Sequence, residues 1–467
     1  MGARRLINEA FGIRPTAMPQ SVPRLARLPF FYGWVVIAVA FVTMAIGVNA
    51  RTAFSLLLPP ILAEFGWSRA TVSGIFSAGF IASMLISPLT GMLMDRFGPR
   101  WLMPAGAIVA STGLVLATIA IEPWHFYATL GALSVSGSVV IAYIGHSLFL
   151  PNWFVRRRGL AIGIAFSGVG VGSITLFPWL QTMIDDAGWR QACWALAALL
   201  ITVIIPLNIL FQRQRPEDIG LRPDADPASP SPQSDRPAVA DNIVDARWAA
   251  TDWTVARAAR TTRFWWLALG YFTALFTWYA VQVHQTKILT EAGYDADLAA
   301  YALGLVGLFG IVGQIGIGYL SDRVGREWAF TVSMFGFIIC YLSLLAIERT
   351  SATALVYVMV ASQGALGYGI ASVFGVVAME LFQGRQYGAI FGALGIPATL
   401  GGATGPWVFG AIYDWNGAYT LAFWLAVAIG LVSILAIWRA APRKVRLVAG
   451  RVIPKGVNKA GSGTALP

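Results

Sequence analysis

Charge is scarce in this chain. Of 467 residues, 12% are Asp, Glu, Lys or Arg, about half the share usual in a soluble globular domain. That composition excludes a disordered chain and an ordinary soluble enzyme. Cysteine is nearly absent: Cys193 and Cys340 each sit inside an apolar run. Two such thiols read as small core residues and rule out a disulfide-rich secreted domain. Missing too are a Ser/His/Asp order, metal-ligand spacing and a phosphate loop in a soluble context. No enzyme, cofactor or metal site is therefore expected. The net charge of +11 comes without the aromatic–basic modules that bind nucleic acid.

What is present is apolar length. Hydrophobic residues make up 57% of the chain and the mean hydropathy is +0.67. A bilayer-spanning helix needs about 20 apolar residues. Apolar runs begin near Phe31, Ala70, Trp101, Trp124, Gly159 and Arg190, then near Phe264, Leu298, Trp328, Ala352, Gly388 and Ala418. This predicts an all-α membrane protein of twelve transmembrane helices. The run from Phe31 is too long for a cleaved signal segment.

Lys and Arg set the expected orientation. With the N-terminus in the cytoplasm, 28 of the 33 Lys and Arg residues fall in cytoplasmic segments, as the positive-inside rule requires. The exceptions are Arg51, Arg69, Arg190, Lys287 and Arg349. The expected organisation is a cytoplasmic tail (1–30), a six-helix bundle (31–212), a cytoplasmic linker (213–262), a second six-helix bundle (263–440) and a C-terminal tail (441–467). Prolines 223, 227, 230, 232 and 237 mark the linker. The segment from Trp253 to Thr261 reads as a short amphipathic helix on the membrane surface.

The two halves repeat. Gly91-Met-Leu-Met-Asp95-Arg96-Phe-Gly98-Pro-Arg100 follows the second run, and Gly318-Tyr-Leu-Ser-Asp322-Arg323-Val-Gly325-Arg326 follows the eighth, at an offset of 227. Glu64-Phe-Gly66-Trp67 pairs with Glu291-Ala-Gly293-Tyr294 at the same offset, and Trp179 and Asp186 pair with Trp407 and Asp414 at 228. An even number of spans per half makes these parallel repeats, which enclose a site near the midplane. The loop motif G-x-x-x-D-R-x-G-x-R, met twice, resembles the signature of the major facilitator superfamily. The resemblance implies secondary transport. It also implies a cytoplasmic gate built from Gly91, Asp95, Arg96, Gly98, Arg100, Gly318, Asp322, Arg323, Gly325 and Arg326, in which Asp and Arg bridge the halves. Three further stretches resemble bacterial relatives of monocarboxylate carriers and of the oxalate/formate antiporter. They are Trp153 to Gly163, Arg215-Pro216-Glu217-Asp218-Ile-Gly220-Leu221 and Phe31-Tyr-Gly33-Trp34.

Ionisable residues inside spans cost about 2.5–3.5 kcal/mol on insertion scales, so each is a functional candidate. Arg51 is the sharpest, because its planar fork suits a carboxylate and because, by the resemblance, it falls at or within a residue of the cationic position in the first span of monocarboxylate carriers. Asn49 supplements it. His146, His284 and Lys287 are the other candidates for contact with cargo or proton, and Gln282 and Gln285 flank His284. Glu380 and Arg439 sit near span ends, where they can snorkel. The carriers often have an Arg in the eighth span where Gln314 stands here. Either Arg51 takes over the carboxylate or the cargo is not a simple monocarboxylate. Aromatic and Gly stripes read as interface anchors and packing positions.

The expectation is a secondary transporter of a small organic anion such as a monocarboxylate. It would sit in the cytoplasmic membrane as a monomer, coupled to protons or to a counter-anion. The alternatives are an exporter of an amphipathic compound without a carboxylate, and a transporter-fold receptor without net flux.

Overall fold

The structure, a computed structural model, describes residues 30–67, 69–224, 242–350 and 352–451. Most of both tails and the proline-rich centre of the linker lie outside these residues. Twelve long helices run through the described residues. In the first half they are α1 (Gly33–Thr52), α2 (Arg69–Phe97), α3 (Pro99–Ala117), α4 (Pro123–Asn152), α5 (Arg158–Ala187) and α6 (Trp189–Phe211). In the second half they are α7 (Thr262–Glu291), α8 (Ala296–Val324), α9 (Arg326–Thr350), α10 (Thr353–Phe382), α11 (Tyr387–Asn416) and α12 (Thr420–Ala440). Each begins within two residues of the start expected from the apolar runs. Eleven are long and apolar enough to cross a membrane by length and composition. The twelfth, α11, holds seven glycines and two prolines, which dilute its hydropathy.

The ends of α2, α4 and α6 and the start of α1 gather on one face. Tyr32 donates its hydroxyl to Phe211 O at 2.8 Å, and Gln214 donates to Met94 O at 3.2 Å. We call this the linker face, and its opposite the far face. Gly98 and Gly325 end α2 and α8 there with φ of +71° and +110°. An L side chain disfavours that region, which accounts for Gly at this point of both loop motifs.

The halves are built alike. Within each, the first and fifth helices pack closely, α1 on α5 and α7 on α11. A Cβ at Gly168 or Gly172 would fall on the carbonyls of Phe41 and Ala45. One at Gly401 or Gly405 would fall on those of Phe272 and Phe276. Small residues let helix backbones approach where lipid offers no hydrophobic drive. Across the halves, α2 packs on α11 and α5 on α8. Their tightest crossings, Gly91 with Gly388 and Gly159 with Gly318, lie toward the linker face. A valine at Gly159 meets the Gly318 carbonyl and Ser321 Oγ. Gly159→Val is expected to destabilise the closed crossing by about 1–3 kcal/mol, read as a lower unfolding temperature in detergent.

On the far face, a short helix, Phe54–Phe65, extends α1. Arg190 clamps it, donating to both oxygens of Glu64 at 2.7 and 2.6 Å, while Trp189 Nε1 donates to Glu64 at 2.8 Å. The Arg190 guanidinium holds the Glu64 carboxyl below its ordinary range.

Two expectations change. The segment after Trp253 does form a helix, Val255–Ala259. However, Trp253 is buried against Trp248 and Phe382, with ring centroids 4.5 and 5.2 Å apart. It docks on the second half of the protein because its aromatic side finds apolar neighbours there. Glu380 does not snorkel: it is buried and paired with Arg326.

Candidate functional site: a central cavity and two carboxylate bridges

Two helices are broken at matching depth. α4 runs as a π-helix over Tyr127–Ser134, and its α-helix stops at Ala142, whose φ and ψ are −103° and −156°. α10 passes through a π segment, Ser362–Leu366, and a 3-10 turn, Gly367–Ile370. Broken backbone at membrane depth is tolerated where it is buried in protein or lines a cavity. Here both breaks border one. A cavity of about 150 Å³ lies between the halves and is lined by Ala142 and Tyr143 of α4 and Ala371 and Phe374 of α10.

Among the described residues, Arg51, in the last turn of α1, is the only charged one lining this cavity. Its guanidinium lies over the Phe80 ring at 5.0 Å, and Phe80 meets Tyr279 edge-on at 5.8 Å. Among the described residues no carboxylate pairs with Arg51. Most of the remaining wall is apolar or aromatic, including Trp278, Tyr279 and Phe391. One of the tyrosine hydroxyls there is engaged elsewhere: Tyr271 donates to Phe374 O.

The other expected cargo residues do not gather at Arg51. Asn49 is buried and tied to α5, donating to Val169 O at 2.9 Å and accepting from Ser173 at 2.8 Å. Gln314 is buried and is not among the residues lining the cavity. His146 is buried next to the lining residue Ser147. Its Nδ1 is 3.0 Å from Ala142 O, and its Nε2 has no partner. His284 lies outside the cavity with both ring nitrogens engaged, Nε2 with Pro406 O at 2.9 Å and Nδ1 with the Tyr419 hydroxyl at 3.2 Å. Lys287 points outward, 61% exposed, and pairs with Glu291 at 3.6 Å. Three candidates thus serve other contacts: Asn49 and His284 join helices, and Lys287 meets solvent.

The aromatic wall escaped the sequence reading, which assigned aromatics to membrane interfaces. One signal was available. At the offset of 228 that relates Trp179 to Trp407, Arg51 falls opposite Tyr279, and both line the cavity. The glycine-interrupted tracts of α4 and α10, at corresponding places in the two halves, were a second signal.

The linker face carries two reciprocal bridges. Asp95 of α2 accepts from Gly388 N and Ala389 N, both at 3.1 Å. Asp322 of α8 accepts from Gly159 N and Leu160 N, both at 2.9 Å. Each carboxylate caps the first turn of a helix in the opposite half, where amides lack intrahelical partners and the dipole favours negative charge. The arginines behave differently from the expectation. Arg96, Arg100 and Arg323 are exposed and lie over Phe97, Trp101 and Tyr319 of their own half. The carboxylates cross between halves because free helix amides are within reach; the guanidinium groups are not directed that way.

Arg326 is the exception and is fully buried. It donates to Asp322 at 2.6 Å and to Glu380 at 2.8 Å. This backs one bridge with a buried ion cluster that the other lacks. Arg326→Met strands two carboxylates and is expected to cost about 3–5 kcal/mol. Adding Glu380→Gln should recover part of it. Thermal unfolding of both variants checks this, and equal loss in the two would contradict it.

A bundle of two six-helix repeats around a central cavity is the architecture of a membrane carrier. The Major Facilitator Superfamily model matches residues 35–377. The chain belongs to that superfamily and is a transporter. Monocarboxylate transporter 13 of Rattus norvegicus is 27% identical over 412 residues, covering 86% of this chain and 87% of the relative. The uncharacterized MFS-type transporter YcxA of Bacillus subtilis (strain 168) is 24% identical over 421 residues, covering 88% and 95%. Among solved structures, FucP in the outward conformation aligns with a TM-score of 0.64 at 16% identity, and the human organic anion transporter MFSD10 with 0.66 at 16%. Each covers 88% of this chain and 100% of the other.

Proposed function

We propose that this chain carries a small organic anion across the cytoplasmic membrane by alternating access, working as a monomer with both termini in the cytoplasm. One observation carries the reading: among the described residues, a single cation without an ion-pair partner, Arg51, lines an otherwise uncharged cavity between the halves. A cation held there without a counter-ion is costly, and a carboxylate cargo supplies the missing charge. Relatives named monocarboxylate transporters support this cargo class. The bias of 28 among 33 Lys and Arg supports a cytoplasmic linker face.

Asp95 and Asp322 are the cytoplasmic gate in this scheme. Their bridges hold the linker face shut, and rocking of one half against the other breaks them. Coupling is to protons or by exchange of a second anion. His146 is the better proton candidate, since its Nε2 is free while both nitrogens of His284 are engaged.

The test uses purified protein in liposomes with an internal pH dye and a panel of small carboxylates. Acidification that depends on carboxylate, beyond leak in protein-free liposomes, is the result expected for proton coupling. A flat trace with uptake of labelled carboxylate leaves exchange. No uptake of any carboxylate contradicts the reading.

A further inference from the structure

The walls of the cavity say more about the cargo than its charge does. Seven rings line it: Phe80, Tyr143, Tyr271, Trp278, Tyr279, Phe374 and Phe391. They come from α2, α4, α7, α10 and α11, so both halves contribute. Two of the polar groups around them are occupied. Ser83 donates to Gly79 O of its own helix at 2.8 Å, and Tyr271 donates to Phe374 O. What remains for a bound molecule is one guanidinium, mounted on the face of Phe80, a set of π surfaces, and a few neutral donors such as the Trp278 indole N–H, which has no hydrogen-bond partner among the described residues.

Size narrows the choice. The cavity measures about 150 Å³, and an apolar protein cavity of about that volume accommodates a benzene ring. A two- or three-carbon acid would leave most of this wall in contact with water. A dicarboxylate would bury its second charge without a cation, at a cost of several kcal/mol. A polyhydroxylated cargo would lose its water hydrogen bonds against rings that offer few in return. A flat ring carrying one carboxylate suits both dominant features of the site: the carboxylate on Arg51, and the ring on aromatic faces that favour offset or edge-to-face contact.

We propose that the cargo is a monoanion with a single-ring aromatic body, of the size of benzoate, bound with its carboxylate on Arg51 and its ring among Phe80, Tyr279 and Phe374. This rests on the anion-transport reading above and adds the chemistry of the body.

The test is calorimetric titration of the full chain in nanodiscs with benzoate, propionate, benzamide and phthalate. Benzoate is expected to bind at least tenfold tighter than each of the other three. Ala398→Phe fills the cavity from α11 and should weaken benzoate at least tenfold while changing propionate less than twofold. Leu275→Phe, from α7, is the second filling variant should the first fail to elute as a single species. Equal binding of benzoate and propionate overturns the aromatic body and leaves the anion reading standing. Equal binding of benzoate and benzamide overturns the anion reading itself. Binding of benzoate that the filling variants leave unchanged overturns the placement in this cavity.

Discussion

Arg51→Ala lowers uptake efficiency for a carboxylate cargo by at least about thirtyfold, with the chain still assembled in the membrane. Truncating one partner of a buried charge pair costs about 2–5 kcal/mol, and the lower figure corresponds to roughly thirtyfold in affinity. Assembly is spared because Arg51 makes no ion pair with the described residues; its contact is the face of Phe80, worth about 0.5–1 kcal/mol at most exposed sites. Arg51→Lys should fall between the two, since a lysine keeps the charge and loses the bidentate fork. Uptake of carboxylate and abundance in the membrane are measured side by side. Unchanged uptake in Arg51→Ala removes this residue from the mechanism.

The second large effect comes from the bridges. Replacing Asp95 and Asp322 together with alanine removes four charge-assisted bonds between the halves. Hydrogen bonds to charged groups contribute about 1.5–3 kcal/mol each. At the lower figure for one bond per bridge, the balance between closed and open linker face shifts by roughly a hundredfold. Ser147 is a suitable reporter, because it is buried and lines the cavity. The two native thiols, Cys193 and Cys340, are fully buried, so background labelling is low. In Ser147→Cys, an impermeant thiol reagent applied from the linker face should react at least tenfold faster once both aspartates are gone. The Asp322 bridge has the buried Arg326–Glu380 pair behind it, so the two single variants should differ. Equal, slow labelling in the double variant contradicts a gating role.

Much of the fold is legible in the sequence because it follows from local properties. Apolar length marks the helices, Gly98 and Gly325 mark tight turns, and the Asp95 motif stands out because Asp322 repeats it at an offset of 227. The bridges needed one thing more, the identity of their acceptor helices. Gly388 and Gly159 sit some 293 and 163 residues from the carboxylates that cap them, and no local pattern names such a pair. The same holds for Glu380, whose partner Arg326 lies on another helix. Read locally, it is a carboxylate near a span end and free to snorkel.

The cavity was the least legible part. A Tyr or Phe in an apolar run looks the same whether it meets lipid or lines a site. Tyr143 and Phe374 face the cavity because α4 and α10 break beside them, and neither break is made by proline. Such breaks are sustained by neighbouring helices, so they are a tertiary property. Arg51 was found because charge within a span is costly wherever it falls. His284 is a candidate by the same logic and Asn49 as a neighbour of Arg51, yet polar side chains in spans also serve as joints between helices, and here they do.

Counterflow tests the central claim most directly. Liposomes holding the purified chain are loaded with unlabelled benzoate and diluted into labelled benzoate, with no ion gradient imposed. Alternating access around an anion held by Arg51 predicts a transient accumulation of label, absent from Arg51→Ala liposomes. Accumulation that is equal in the variant, or no accumulation of any carboxylate in the native chain, would contradict the account.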